Sequence, residues 1–135
     1  GADGFPVISY WGASAGTLKV AKCMNAACTA TSTITTVDAV PSTSVGGSTS
    51  IAIGSDTFPV ISYQDVGAFS LKVAKCVNAA CTGTSTITIV DDPENSVGAF
   101  TSIAIGADGF PTIAYRDQTA GTLKLVKCKN AACIP

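Results

Sequence analysis

The chain has 135 residues, of which 47% are hydrophobic and 13% charged, and a net charge of −1. The charged share is about half the usual quarter, so little electrostatic repulsion keeps copies apart. No basic patch favours nucleic acid as a partner, and no apolar run approaches the ~20 residues of a membrane helix, which argues against helical membrane insertion.

Taken in chain order, Gly1-Ala2-Asp3-Gly4 is a tight-turn sequence in which Asp-Gly favours positive φ. Pro6–Tyr10 (PVISY) then alternates with period 2 and is predicted to be a strand, with proline at its mouth where no ladder donor is lost. A loop carrying Gly12 and Gly16 leads to a second strand, LKVAK, from Leu18. Cys23 and Cys28 bracket the loop that follows, and TITTV from Thr33 is the next strand. Ser50–Ile53 (SIAI) completes a set of four.

The set recurs. Phe5, Phe58 and Phe110 are offset by 53 and then 52 residues, as are Cys23, Cys76 and Cys128. TITIV from Thr86 repeats the Thr33 strand, and SIAI returns at Ser102–Ile105. The one length change lies between Asp91 and Ile103, in a Gly-, Ser- and Pro-containing stretch that reads as a surface loop. The expected organisation is a single array with repeat 1 over 1–53, repeat 2 over 54–105 and a partial repeat 3 over 106–135. The fold class is all-β, built of tandem four-stranded antiparallel repeats.

The run SIAIGADGFPTIAY (Ser102–Tyr115), followed by an LKVAKC-type strand and a TITTVD-type strand, resembles the β-propeller-blade repeats of large bacterial extracellular proteins. The resemblance covers almost the whole chain. It implies propeller-like blades, but such repeats serve as scaffolds and as binding surfaces alike, and it carries no functional residues with it. An open β-stack or solenoid forming a fibre is the alternative architecture. The chain opens just before one PVISY strand and stops just after one LKLVK strand, so incomplete end sheets are expected. Partners would then be other copies of the chain or further repeats of a longer one, joined in a ring or a fibre.

All six cysteines fall in C-x4-C pairs: Cys23/Cys28, Cys76/Cys81 and Cys128/Cys133. With no histidine in the chain, local disulfides are favoured over metal ligation, and no metal or other cofactor is expected. Each bond would close a short loop for about 2 kcal/mol and place the protein outside a reducing cytosol, secreted or at a cell surface.

Catalysis is not expected. The usual general base is missing, and the chain has no phosphate loop or dinucleotide fingerprint. Asp3, Asp56 and Asp108 read as turn residues bonding their own backbone rather than as calcium ligands. Asp91, Asp92 and Glu94 read as a solvated acidic loop. Lys19/Lys22, Lys72/Lys75 and Lys124/Lys127 read as solvated gatekeepers on sheet surfaces. The repeats differ at Trp11, Gln64 and Arg116, which occupy one position and are the candidate ligand or interface residues. Phe69 and Phe100 stand where Gly16 and Gly47 stand one repeat earlier. The functional expectation is an extracellular structural or adhesive repeat protein that self-assembles. The alternative is a carbohydrate-binding, lectin-like module with glycans as partners and Trp11 as its stacking platform.

Overall fold

The computed structural model describes residues 1–40, 44–92, 94 and 96–134. Among the described residues ten strands make three antiparallel sheets, and none of these sheets closes on itself. The first sheet has the order β1-β2-β3, from Val7–Gly12, Thr17–Lys22 and Thr33–Asp38. The central sheet has the order β4-β5-β6-β7, from Val45–Ile53, Pro59–Asp65, Ser70–Lys75 and Thr86–Asp91. The third has the order β10-β9-β8, from Ala99–Ile105 (β8), Pro111–Asp117 (β9) and Thr122–Lys127 (β10). The chain is thus all-β, and no described helix is long and apolar enough to cross a membrane.

Each sheet is a meander whose register follows the period-2 pattern. Tyr10 lies opposite Lys19, Tyr63 opposite Lys72 and Tyr115 opposite Lys124. The prolines stand at the strand mouths, where the carbonyls of Pro6, Pro59 and Pro111 accept from the N–H of Cys23, Cys76 and Cys128 at 2.9–3.0 Å. The SIAI strands are longer than their sequence core. β4 starts at Val45 and β8 at Ala99, and both reach their length through register shifts around positive-φ residues. Both pair with the PVISY-type strand that follows them, so the sheets divide the chain ahead of β4 and β8.

Two buried clusters flank the central sheet. Leu18 and Val20 of the first sheet pack with Val45, Ile61, Tyr63 and Ala74 on one side. Val60, Leu71 and Val73 pack with Ile103, Ile113 and Tyr115 of the third sheet on the other. Alternation along β5 therefore sends Ile61 and Tyr63 one way and Val60 the other, which is why this strand is buried throughout. Contacts between sheets run through β1/β4, β2/β4, β4/β8 and β5/β8. The sheets meet along their first strands.

Candidate functional site

The chemistry-bearing residues collect in two places, the loops at one end of each sheet and the junctions between sheets. At the loops, Cys23–Cys28, Cys76–Cys81 and Cys128–Cys133 form three disulfides with Cα separations of 5.1, 5.0 and 4.8 Å. The second cysteine of each pair has a left-handed backbone, with φ of 52°, 54° and 53°. The preceding asparagine organises the loop, since the Oδ1 of Asn25 and Asn78 accepts the Thr29 and Thr82 N–H at 3.0 Å. Three disulfides in so small a chain suggest an oxidising extracellular environment.

The turn aspartates bond their own backbone as expected. Asp3, Asp56 and Asp108 accept the N–H of Phe5, Phe58 and Phe110 at 3.1–3.2 Å. The lysines depart from the solvated role expected of them. Lys22 and Lys75 are buried and pair with Asp3 and Asp56 at 2.8 and 2.7 Å, while the more exposed Lys127 pairs with Asp108 at 2.7 Å. The same ammonium groups lie 5.1–6.0 Å from the ring centroids of Phe5, Phe58 and Phe110. Lys22 and Lys75 also donate to the Cys23 and Cys76 carbonyls at 3.2 Å, joining the turn to the disulfide loop. At Asp3 and Asp108 the lysine hydrogen bond holds the carboxyl below its ordinary range. At Asp56 burial pulls upward but is outweighed by Lys75 and the Phe58 amide.

The junctions hold a second repeated group. A bulge at Leu18/Lys19, and its equivalent at Leu71/Lys72, sets Asp38 opposite Leu18 and Asp91 opposite Leu71. Each aspartate accepts a 2.6 Å hydrogen bond from a tyrosine of the next sheet, Asp38 from Tyr63 and Asp91 from Tyr115. Lys72 bonds Asp65 at 2.5 Å and lies 3.9 Å from Asp38, and Lys124 pairs with Asp91. Burial, then the bond to the facing aspartate, pushes both phenols well above their usual range. Asp91 is accordingly a partly buried junction residue, whereas Asp92 and Glu94 are exposed. Among the described residues no three His, Cys, Asp or Glu side chains converge as a metal site would require.

Trp11, Gln64 and Arg116 occupy one register position, opposite Leu18, Leu71 and Leu123, but on three separate sheets. They do not form a common site. Gln64 is buried in the second junction, where its Nε2 donates to Val97 O at 3.1 Å and Gln118 Oε1 at 2.9 Å. Trp11 is half-exposed. Arg116 is exposed and lines a cleft with Phe100, Gly121, Thr122 and Leu123. Backbone geometry revises one correspondence. Phe100 shares its positive φ with Ser48 (51° and 46°), so it replaces Ser48 and not Gly47, whereas Phe69 (59°) does replace Gly16 (61°).

Sequence reasoning missed the outer faces. On the third sheet Leu123 and Leu125 are 78% and 66% exposed, where Leu18, Leu71, Val20 and Val73 are all 0%. On the first sheet Ile8 is 47% exposed, where Ile61 and Ile113 are 0%. The signal was present in the strand alternation, but only a known stacking order says which face each residue serves. No protein-family model and no curated protein matches the chain.

Proposed function

We propose that the chain is a non-catalytic structural or adhesive module of a secreted, extracellular array, which assembles by adding further repeats or copies at its two outer sheet faces. The observation that carries this reading is the exposure of Leu123 and Leu125, with Phe100 beside them, at positions that the internal junctions bury completely. Burying one such leucine is worth about 1.5–3 kcal/mol, and a continuous exposed apolar patch marks an interaction surface. The first sheet presents the complementary half, Ile8, Tyr10 and Lys19, which match the Ile61, Tyr63 and Lys72 that the second sheet turns toward the first. Low net charge leaves such faces free to meet. Neighbouring sheets that meet along their first strands favour blade-like packing about a common axis, which supports a propeller-type ring over a flat stack.

Electron microscopy of the oxidised protein tests the proposal. Rings or filaments with a repeat set by the three-sheet unit are expected. A compact monomeric particle at all concentrations would refute assembly between copies.

A further inference from the structure

The start of each SIAI-type strand acts as a latch on the sheet before it. At the first junction the Val45 N–H donates to Gly16 O at 2.9 Å and the valine side chain is fully buried. Gly46 (φ 92°) then crosses Leu18 so closely that a Cβ would lie 2.8 Å from the Leu18 Cα. The second junction repeats this in detail. The Val97 N–H donates to Phe69 O at 2.8 Å, Val97 is fully buried, and a Cβ on Gly98 (φ 86°) would lie 3.0 Å from the Leu71 Cα. Gln64 closes the latch from the side by donating to the Val97 carbonyl.

The third sheet carries the same receiving elements. Gly121 has the positive φ (68°) of Gly16 (61°) and Phe69 (59°), the two residues whose carbonyls receive the internal latches. Leu123 stands for Leu18 and Leu71, and Arg116 stands opposite it where Gln64 stands opposite Leu71. These residues line a cleft of about 320 Å³. We infer that this cleft is a receptor for the Ser-Val-Gly start of a further strand of the β4 and β8 kind, donated by another repeat of this type. Its valine N–H would bond Gly121 O, its glycine would pass over Leu123, and the Arg116 guanidinium would donate to the valine carbonyl as Gln64 does to Val97. The inference rests on the proposed addition of repeats at this face, and it adds which segment is captured and by which residues. Continuity with the two internal latches supports it. Ala114 replaces the Ser9 and Ser62 hydroxyls that accept from Thr49 and Thr101, so one supporting bond of the internal junctions is absent here.

The test is titration of the isotopically labelled, oxidised protein with a synthetic peptide of the Ser44–Gly54 sequence, followed by two-dimensional NMR. Saturable shifts are expected at Ala114–Arg116 and Gly121–Leu125, with a Kd at or below about 1 mM. Binding should be lost with a peptide whose glycine at the position of Gly46 is valine. It should also be lost in Leu123→Lys, a substitution at an exposed side chain that leaves the rest of the spectrum in place. Arg116→Gln should retain binding and Arg116→Ala should weaken it several-fold. Absence of shifts up to several times that concentration, shifts centred on the free edge of β1 (Val7–Gly12), or indifference to the glycine substitution would overturn the inference. Peptide capture by a protein that stays monomeric would uphold the receptor and remove only the self-assembly reading.

Discussion

The Tyr63 hydroxyl donates a 2.6 Å hydrogen bond to Asp38 across the boundary between the first two sheets. Lys72, 3.9 Å from that carboxylate, also bonds Asp65, so one buried group ties two sheets through a phenol, an ammonium and two carboxylates. Removing the phenol leaves a nearly buried carboxylate short of a donor, and bonds to charged groups are worth about 1.5–3 kcal/mol. Tyr63→Phe is therefore expected to lower unfolding stability by that amount in urea titration. Tyr10→Phe, at the equivalent position of the first sheet, should cost less than about 0.5 kcal/mol. Equal losses at the two positions would show that the bond to Asp38 does not hold the junction.

The pH dependence has two arms. Asp3, Asp56 and Asp108 have depressed folded values, so their contribution is complete above the unfolded carboxylate pKa of about 3.9 and is lost as pH falls through the folded values. Tyr63 and Tyr115 have raised folded values. Their neutral form is favoured by folding, so their contribution is complete below the unfolded phenol pKa of about 10 and is lost as pH rises above it. Thermal melts across pH should show a plateau between these limits. Tyr63→Phe and Tyr115→Phe should flatten the alkaline arm and leave the acid arm unchanged.

Gly46 and Gly98 combine a left-handed backbone with close passage over a leucine. Alanine at either position faces both backbone strain of about 1–2 kcal/mol and a contact that cannot relax without moving the Leu18 or Leu71 main chain. Gly46→Ala is expected to cost more than about 2 kcal/mol by chemical denaturation. Thr57 shows the reverse case. It holds φ 71° where Gly4 and Gly109 each hold 79°, so Thr57→Gly should be stabilising by about 0.5–1 kcal/mol, strain relief exceeding the entropy of glycine.

The disulfides differ in access. Cys28 is exposed, whereas Cys81 is buried, with the Thr35 hydroxyl of the first sheet bonded to the neighbouring Ala80 carbonyl. Thiol–disulfide exchange needs an approach path to sulfur. Under limiting reductant Cys23–Cys28 should open before Cys76–Cys81, as mapped by alkylation and mass spectrometry. Simultaneous opening would mean that the junction does not shield the second loop.

Much of the fold was legible because the repeat multiplies each signal. Three copies of PVISY-type and LKVAK-type segments fix strand identity, and the short turns leave antiparallel pairing as the only economical connection. The C-x4-C spacing, with no histidine, pointed to the local disulfides. The latch was not legible, since Ser44-Val45-Gly46 has no strand periodicity and earns its conformation from Leu18 beneath it. The buried lysines were misread for a related reason. Period 2 says that Lys19 and Lys22 face opposite sides, but not that Lys22 folds back onto Asp3 and the Cys23 carbonyl. Trp11, Gln64 and Arg116 share one register position, yet only packing separates the interfacial Gln64 from the exposed Arg116.

The most direct test of the account is sedimentation velocity over a wide concentration range, comparing the oxidised protein with the double substitution Leu123→Lys and Leu125→Lys. The account predicts concentration-dependent assembly of the unaltered chain and a monomer for the variant, with the same thermal stability for both monomers. A variant that assembles as well as the parent, or a parent that never assembles, would contradict it.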